Sequence, residues 1–429
     1  MKRSLRGPRK MALRPSPGAA PLAVTGAGIV SPIGNDLASF DAALFAGVSA
    51  IRARAPDLPG IDLPPVPVAP AEFDADAELA PSRLPLDRGT AMALSAARGA
   101  ARSARLDAGS FDPERLGIFW GSGMAGAATF EATCRIVYAD RRRMRPTSVV
   151  TTMPNAPVAE IALLFGARGA ALAYACACAS SAVAIGEAMR AIRAGWIDIA
   201  IAGGSEAMLT SGVLASWQAM RVLAPLSTAT AAAVAATACR PFAADRAGFA
   251  LGEGAAAFVL ESPQHASARG APRTALLAGY ATNCDGMHIT QPDASGQARA
   301  MLAALADAGL SANDIGYVNA HGTATAAGDA AEADSIGRVF AARGVPMSSS
   351  KAIHGHLLGA GGAVELLATL RALHHRRLPP TAHVAAPDPA LAIDLVTGSA
   401  REASGLRAAM SNSFAFGGTN AVLIATRDD

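Results

Sequence analysis

Charged and aromatic side chains are scarce in this 429-residue chain, at 17% and 5% of the sequence, whereas hydrophobic residues make up 51%. The formal net charge of +3 is too small at this length to indicate nucleic-acid binding. The heavy use of alanine and glycine suits helices packed closely against sheets. The composition therefore excludes an extended charged chain and predicts a globular protein with a large core.

Segments that would direct the chain into a membrane or out of the cell are also missing. The basic N-terminal tail, residues 1–21, contains several prolines and no apolar stretch of the roughly 7 to 15 residues that a secretory signal needs. The uncharged run from Gly169 to Gly186 is mostly Ala, Gly, Ser and Cys, whose transfer into lipid releases little free energy. We expect a disordered tail, no membrane span, and in the run a buried strand followed by a buried helix.

The cysteines are odd in number and have no paired spacing, at positions 134, 176, 178, 239 and 284. This usage indicates reduced thiols in a reducing compartment, and we expect a cytoplasmic protein. Cys176 and Cys178 could bind a metal ion together with His354 and His356, but zinc sites usually have wider paired spacings. We therefore expect no metal ion.

Short apolar segments alternate with segments of helical periodicity, which predicts an α/β fold with covered sheets. The prolines between 56 and 70 indicate a surface connection, and the Ala/Thr-rich stretch 228–236 indicates an exposed insertion. The pattern restarts after residue 262, although no residue-level repeat is visible. Strands are predicted at 22–30, 117–120, 199–202, 258–262, 274–281, 317–320, 408–411 and 421–426, and helices at 37–45, 90–105, 181–194, 296–308, 329–343 and 362–374.

The Gly26-Ala-Gly28 turn lacks the third glycine of a dinucleotide-binding loop, because Ser31 stands at that position. No acidic ribose ligand follows in a convincing strand–helix–strand unit. We therefore reject nucleotide binding and expect no cofactor.

Three segments carry the side chains with catalytic chemistry. Cys178 lies in the small-residue stretch 174–186, His321 opens the sequence His-Gly-Thr-Ala-Thr, and Lys351 and His356 lie in Ser-Lys-Ala-Ile-His-Gly-His. A thiol exchanges acyl groups reversibly with other thiols. Two imidazoles can hydrogen-bond a thioester carbonyl that develops enolate charge. The set predicts carbon–carbon bond formation between acyl thioesters.

These and several other segments resemble the elongating β-ketoacyl carrier-protein synthases over residues 22–426. The resemblance implies the thiolase fold, a duplicated five-layered α-β-α-β-α core with its active site between an N-terminal half, 22–262, and a C-terminal half, 263–429. The further matching segments are 24–34 (VTGAGIVSPIG), 121–123 (GSG), 202–206 (AGGSE), 240–249 (RPFAADRAGF), 251–254 (LGEG), 319–323 (NAHGT) and 412–420 (NSFAFGGTN).

The resemblance assigns roles to the catalytic residues. It makes Cys178 the nucleophile and puts Cys176 in the position of a usual threonine. Because backbone amides at a helix N-terminus favour thiolate, we expect the pKa of Cys178 to be lowered. His321 and His356 are implied to donate to the malonyl thioester carbonyl and to stabilise the enolate that decarboxylation leaves. This pair of histidines resembles the elongating class.

Lys351 is interpreted as a positioning group, whose buried charge needs a carboxylate partner that we expect to be Glu365. Asp329 and Glu332 either serve the same network or are ordinary helix N-terminal charges. His354 is interpreted as structural.

An oxyanion hole and an acyl pocket are also implied by the resemblance. The backbone amides of Cys178 and Phe416 form the oxyanion hole, and Phe416, with Phe414 beside it, gates the acyl pocket. Ala415 replaces the common glycine of this loop, which bears on how easily the gate moves. Met124 is either a wall of the acyl tunnel or an ordinary core methionine.

A basic run at 141–145, together with Arg221 further along the chain, is either a solvated basic turn or a landing surface for an acidic partner. The resemblance favours the second interpretation, with acyl carrier protein as the partner. It also implies a homodimer, with a heterodimer as the alternative. The candidate carrier-binding residues are Arg141, Arg142, Arg143, Arg145 and Arg221.

The hypothesis from sequence is therefore a decarboxylative condensation of an acyl thioester with malonyl-carrier protein, giving a 3-oxoacyl chain two carbons longer. Fatty-acid and polyketide or polyene pathways both remain open. One alternative is a non-catalytic partner subunit like the chain-length factors, which typically lack the nucleophilic cysteine present here. Another is a coenzyme A-dependent thiolase-like acyltransferase, disfavoured because no cysteine follows Cys284.

Overall fold

The computed structural model describes residues 20–79, 85–107 and 109–428, so most of the predicted N-terminal tail lies outside the described residues. The strands are β1 (Leu22–Val30), β2 (Arg52–Arg54), β3 (Val66–Ala69), β4 (Leu116–Gly121), β5 (Ala171–Tyr174), β6 (Ile199–Glu206), β7 (Leu251–Gly252), β8 (Gly254–Glu261), β9 (Ala275–Cys284), β10 (Tyr317–Asn319), β11 (Pro346–Ser348), β12 (Arg377–Leu378), β13 (Asp394–Leu395), β14 (Arg401–Glu402), β15 (Ala408–Phe414) and β16 (Thr419–Thr426). The α-helices are α1 (Leu37–Ala46), α2 (Ala75–Glu78), α3 (Arg88–Ser103), α4 (Ala127–Tyr138), α5 (Ser148–Thr152), α6 (Ala156–Phe165), α7 (Ser180–Arg193), α8 (Ser211–Ala219), α9 (Ala231–Val234), α10 (Pro263–Ala268), α11 (Ala294–Ala308), α12 (Ala326–Phe340), α13 (Lys351–His354) and α14 (Gly361–His375).

Eleven of these strands form one sheet in the order β13-β11-β10-β15-β16-β9-β1-β8-β6-β4-β5. Its two halves have matching strand directions. In the first, β4, β5 and β6 are parallel, β8 is antiparallel to β6, and β1 is antiparallel to β8. In the second, β10, β11 and β15 are parallel, β16 is antiparallel to β15, and β9 is antiparallel to β16. The chain is therefore a structural duplication, joined where β1 pairs with β9 over Leu22–Val24.

Helices cover both faces of each half and complete the layers. α3 and α6 pack on the outer face of the first half, and α11 packs on the outer face of the second half with α12 beside it. α7 and α14 pack against each other between the two halves, α7 on β4 and β6, and α14 on β10 and β15. This arrangement confirms the predicted five-layered α-β-α-β-α thiolase fold. The boundary between residues 262 and 263 stays a prediction.

Small residues bring the central layers close enough to position the site. A Cβ on Gly121, at the end of β4, would strike the backbone at Ser180, where α7 begins. On the other face of the first half, a Cβ on Gly28 of β1 would strike the backbone of α3 at Ala96. Gly28 is therefore explained by helix–strand packing, without a nucleotide.

Three local predictions are wrong. The buried strand predicted before α7 is β5, a mostly exposed strand, because it is the edge of the sheet and pairs only with β4. The surface connection 56–70 contains β3, whose four residues are buried because β3 pairs with both β2 and β7. The insertion 228–236 contains the short helix α9, with Ala231 and Ala235 buried.

Among the described residues, no helix combines the length and the apolar character that crossing a bilayer requires.

Candidate active site

Cys178 lies in a tight 3-10 turn, Ala177–Ala179, between β5 and α7. The turn begins with Ala177 at φ 47°, a left-handed conformation that costs free energy for a residue with a Cβ. The Cys178 residue is 5% exposed. The strained turn directs Sγ of Cys178 toward the C-terminal half, where it lies 3.0 Å from Nε2 of His356.

His321 and His356 come from the second half of the sheet and meet at the sulfur. His321 follows β10, and His356 lies in the turn that leads to α14, the helix that corresponds to α7. The two rings are nearly perpendicular, with their centroids 5.4 Å apart. The sulfur of Cys178 and one nitrogen of each ring lie within 4.8 Å of one another. The duplication thus brings the turn before each central helix into one site.

Lys351 fixes the protonation pattern of His321. Its ammonium donates to the backbone oxygen of His321 at 2.5 Å and lies 3.4 Å from Nδ1 of the same residue. An ammonium offers only N–H donors, so Nδ1 must accept and the proton of the neutral ring resides on Nε2. His321 therefore presents Nε2–H as a hydrogen-bond donor.

Glu365 of α14 forms a buried ion pair with Lys351. Burial raises the pKa of the Glu365 carboxyl to about 7, and the Lys351 ammonium opposes the rise. Both side chains are almost completely buried, so each charge depends on the other for compensation.

The electrostatics of the thiol contradict the predicted lowering of its pKa. Burial raises the pKa of Cys178 to about 12, although the Lys351 ammonium and the backbone amides of Phe416 and Cys178 oppose the rise. Burial also holds the pKa values of His321 and His356 well below their usual range, and Lys351 lowers them further. Desolvation exceeds the effect of the helix terminus here. The free site therefore holds a neutral thiol beside two neutral imidazoles.

Three donor atoms this close could also bind a metal ion, but their surroundings are unsuitable. A histidine that ligates a metal normally donates its other ring N–H to a carboxylate or a carbonyl. The other nitrogen of His321 instead faces the Lys351 ammonium, and Nδ1 of His356 has no hydrogen-bond partner among the described residues. These contacts favour hydrogen-bond donation over metal ligation.

A cavity of about 260 Å³ opens onto the sulfur and both imidazoles. Phe416 lies at this cavity, and its ring is stacked on that of Trp217, with the centroids 6.2 Å apart. Trp217 contacts Phe249 edge to face, and Phe249 contacts His356 in the same way. The cavity is lined by both halves of the chain, including Cys178, Trp217, Phe249, Ile289, His321, Thr323, His356, Leu358, Phe414, Ala415 and Phe416.

Comparisons with known proteins agree with this geometry. The family model "Beta-ketoacyl synthase, N-terminal domain" matches residues 19–266, and the model "Beta-ketoacyl synthase, C-terminal domain" matches residues 274–385. The chain belongs to the β-ketoacyl synthase family. It is accordingly an enzyme of the acyltransferase class.

Two named relatives and one solved complex match most of the length of this chain. The chain is 37% identical over 411 residues to 3-oxoacyl-[acyl-carrier-protein] synthase 2 of Staphylococcus aureus, covering 94% of this chain and 99% of that protein. It is 40% identical over 341 residues to Nodulation protein E of Rhizobium sp. (strain N33), and this match covers 79% of this chain and 82% of that protein. A chain from the solved complex of a type II polyketide synthase acyl-carrier protein with its ketosynthase bound to the hexaketide superposes on this chain with a TM-score of 0.86 at 27% identity. The match covers 95% of this chain and 99% of that chain.

The acidic residues predicted to support Lys351 have different contacts in the synthase. Asp329 accepts hydrogen bonds from the amides of Phe242 (2.7 Å) and Ala324 (3.1 Å), and lies 3.8 Å from Arg246. It therefore holds backbone loops rather than the Lys351 ammonium. Burial raises the pKa of the Asp329 carboxyl to about 7.

Glu332 lies closer to the catalytic groups. It accepts hydrogen bonds from the amides of His321 (2.8 Å) and Gly322 (2.7 Å) and thereby fixes the turn that carries His321. His354 lies behind the site, with Nδ1 donating to Gly355 O and Nε2 accepting from the Ser350 hydroxyl. Burial lowers the pKa of His354 to about 3, so it is a neutral structural group.

Phe414 and Phe416 of the predicted pocket line the cavity at Cys178, whereas Met124 and the predicted carrier-binding arginines do not line it. Met124 is 37% exposed and does not line the cavity at Cys178. Arg221 is exposed at the cavity mouth, between Met220 and Val222, which both line the cavity. Arg141, Arg142, Arg143 and Arg145 are exposed in the segment between α4 and α5.

Two aromatic residues of the cavity, Phe249 and Trp217, were not predicted from the sequence. Phe249 ends the segment 240–249 that resembles the family, so its position was available as a signal. Trp217 lies in none of the segments that resemble the family, and its place in the cavity wall and its contacts with Phe249 and Phe416 reveal it.

Proposed function

We propose that the protein is a 3-oxoacyl-[acyl-carrier-protein] synthase in which Cys178 carries the acyl chain and His321 and His356 hold the enolate. The observation that carries the proposal is the meeting of Sγ with His356 Nε2 at 3.0 Å, beside a His321 whose Nε2–H donor is set by Lys351. Both groups open onto one cavity.

In the first step, the Cys178 sulfur attacks the thioester carbonyl of an acyl-carrier protein. The carbon–sulfur bond to the carrier breaks, and the carrier sulfur leaves with the proton that Cys178 gives up. His356 Nε2, 3.0 Å from Sγ, donates its N–H to the sulfur and so stabilises the negative charge that develops there as this proton moves to the leaving carrier sulfur. Because the free thiol is neutral, this transfer accompanies the attack rather than preceding it.

In the second step, malonyl-carrier protein enters the same cavity and loses carbon dioxide. The electron pair of the broken carbon–carbon bond becomes an enolate, whose oxygen accepts hydrogen bonds from the Nε2–H groups of His321 and His356. Neutral imidazoles suit this role, because they donate hydrogen bonds without protonating the new carbanion.

In the third step, the carbanion attacks the acyl carbonyl on Cys178. The backbone amides of Cys178 and Phe416, which already face the sulfur, receive the developing oxyanion. The Cys178 thiolate leaves with the negative charge that decarboxylation passed from the malonyl carboxylate to the enolate, and one proton from solvent neutralises this thiolate. The product is a 3-oxoacyl thioester two carbons longer.

Incubation of the purified protein with acyl- and malonyl-carrier protein tests this proposal. We expect a 3-oxoacyl product by mass spectrometry, an acylated Cys178 when malonyl-carrier protein is omitted, and no condensation by Cys178→Ala. Turnover that survives Cys178→Ala would refute the nucleophile assignment. Absence of any acylated Cys178 in active protein would do the same.

An acidic carrier protein is the partner that the cavity mouth suits. Arg221 lies beside the opening, and a carrier's prosthetic arm entering there would bring acidic residues of the carrier near this guanidinium. The relative solved with its acyl-carrier protein supports the same class of partner. The segment 141–145 extends the proposed landing surface.

A second copy of the chain is the proposed partner at the free edge of β5. Exposed backbone groups of an edge strand favour pairing with another strand. β5, α6, α5 and α4 contact one another in sequence and form one surface. Its exposed apolar side chains include Phe130, Tyr138, Val149, Leu163 and Leu172. We expect a homodimer by light scattering and a monomer after Leu172→Asp, whereas a monomeric wild-type chain would contradict this assembly.

The free cysteines bear on where in the cell the protein acts. All five cysteines are free in the described structure, which suits a reducing compartment, and we propose the cytoplasm. The relatives include a 3-oxoacyl-[acyl-carrier-protein] synthase 2 and a nodulation protein, so the acyl chain found on Cys178 in the native host is the measurement that assigns the pathway.

A further inference from the structure

Glu206, the last residue of β6, is a buried carboxylate that the proposed mechanism does not use. It is 1% exposed. Its two oxygens accept hydrogen bonds from two separate turns, which we call the β4 turn (Ser122–Met124) and the His356 turn (His356–Ala360). Four donors thus saturate the carboxylate, and no cationic side chain among the described residues forms an ion pair with it.

One carboxylate oxygen of Glu206 contacts both turns, and the other contacts only the β4 turn. Oε2 accepts from the amides of Gly123 at 2.7 Å and Gly359 at 3.0 Å, so a single oxygen bridges the N-terminal and C-terminal halves. Oε1 accepts from the amide of Met124 at 3.0 Å and from the hydroxyl of Ser122 at 3.3 Å. Loss of the carboxylate would leave three backbone amides without their partner: that of Gly359, which is buried, and those of Gly123 and Met124, which are partly buried.

The bridged turns lie directly behind the nucleophile. The His356 turn packs against the 3-10 turn that carries Cys178, and Leu358 lines the cavity with the sulfur. Leu358 has φ 40°, a strained conformation that needs support from its neighbours. A Cβ on Gly359 would strike the backbone of the β4 turn, so the two turns are in backbone contact.

We propose that Glu206 is a positioning residue that joins the β4 turn to the His356 turn and so sets the separation of His356 from Cys178. This inference rests on the proposed function, because it concerns the same nucleophile and the same histidine. The carboxylate acts through the two backbone turns and touches neither the substrate nor the sulfur.

Burial makes ionisation of the Glu206 carboxyl costly in free energy. Burial raises the pKa of its carboxyl to about 7, although the amides of Gly123, Met124 and Gly359 lower it. Because this pKa is higher in the folded protein than in the unfolded chain, ionisation of Glu206 as the pH rises lowers the free energy of unfolding. Protonation would also point an O–H donor at neighbours of which only the Ser122 hydroxyl can accept.

Glu206→Gln and Glu206→Asp test the proposal, with Asp87→Asn as the matched control. The side-chain amide introduced by Glu206→Gln would set N–H against at least one backbone N–H, whereas Glu206→Asp keeps the acceptors on a shorter chain. Asp87 is also buried, at 2% exposed, and accepts from the amides of Gly89 (2.9 Å) and Thr129 (3.1 Å) and from the Thr129 hydroxyl, but it does not line the cavity.

We expect Glu206→Gln to lower kcat for condensation about 100-fold, the scale of a misplacement of about 1 Å, with KM for malonyl-carrier protein unchanged. The kcat of Glu206→Asp should be about tenfold higher than that of Glu206→Gln. The kcat of Asp87→Asn should stay within about threefold of the wild-type value. A Glu206→Gln enzyme within about threefold of wild type overturns the proposal. So does an equal loss of kcat in Asp87→Asn.

Two further measurements keep the outcome decisive. If Glu206→Gln does not fold, the kcat of a folded Glu206→Asp decides, since a wild-type value overturns the proposal and a drop with unchanged KM supports it. Alkylation of Cys178 by iodoacetamide needs no carrier protein, and we expect it to be several-fold faster in Glu206→Gln because the turn that covers the sulfur is released. If wild type does not condense, the proposed function fails, while this alkylation rate still tests Glu206.

Discussion

Trp217 and Phe416 are stacked with their ring planes within 20° of each other, at the point where the cavity opens toward Cys178. Phe416 also supplies a backbone amide that faces the sulfur. One aromatic contact therefore supports both the proposed gate and the proposed oxyanion hole.

Replacement of this indole should weaken catalysis without disturbing the fold. An aromatic pair contributes about 0.5–1.5 kcal/mol beyond its buried area, so we expect Trp217→Ala to lower condensation kcat by about two- to tenfold. Trp196→Ala is the control, because Trp196 is 72% exposed and does not line the cavity. Equal kcat values for the two variants, measured with the same acyl-carrier protein, would contradict a role for the stack.

Removal of the Lys351 ammonium should separate catalysis from stability. Lys351→Met leaves Glu365 buried without its cation, and a broken buried pair costs about 3–5 kcal/mol. Adding Glu365→Gln should recover most of that free energy of unfolding in urea. Decarboxylation of malonyl-carrier protein should stay at least about 100-fold low in both variants, because nothing then fixes the proton of His321 on Nε2. Recovery of decarboxylation in the double variant would argue against this role.

The reactivity of Cys178 should have the pH dependence of a buried neutral thiol. Its pKa is raised to about 12, so the thiolate fraction at pH 7 is small and increases as pH rises toward that value. We expect the rate of Cys178 alkylation by iodoacetamide, followed by peptide mass spectrometry, to keep rising to about pH 10 without a plateau. The exposed Cys284 in the same digest is the internal reference. A plateau near neutral pH would mean that an ion pair with His356 exists in the free protein.

Charge reversal at the cavity mouth should affect the carrier-protein substrate more than the chemical steps. We expect Arg221→Glu to raise KM for malonyl-carrier protein at least about fivefold at low salt, less at high salt, with kcat nearly unchanged. Arg407→Glu is the control, because Arg407 is exposed just before β15, whereas the cavity residues follow the other end of that strand. An Arg221→Glu enzyme with wild-type KM would locate the carrier elsewhere.

Sequence patterns predicted the fold class because apolar strands and the central helices bury most of their residues. α7 and α14 are almost entirely buried, and both were predicted to within two residues. By contrast, α4 and α5 have no buried residue, so their sequences carry no core-facing period, and neither was predicted. The exposed strand β5 was misread because an edge strand can be as apolar as a core strand.

The residue types in the sequence predicted which chemical groups form the site, but they did not predict the pKa shifts of those groups. Cys178, His321, His356 and Lys351 carry distinctive chemistry within turns rich in small residues, and the structure places them together. The direction of the thiol pKa could not be predicted, because the burial that raises it is a property of the packed structure. Glu206 carries no signature of its own, since its importance arises from which two turns it meets.

The matched strand directions of the two halves also have an evolutionary consequence. In the proposed mechanism, one copy of an ancestral unit holds the electrophile, and the other generates the carbon nucleophile. Substitutions in the part of the cavity wall that the first copy supplies can therefore alter which chain is accepted, while the histidines proposed for decarboxylation are preserved in the second copy. We expect this division of labour to let such enzymes diversify their products without reinventing the reaction.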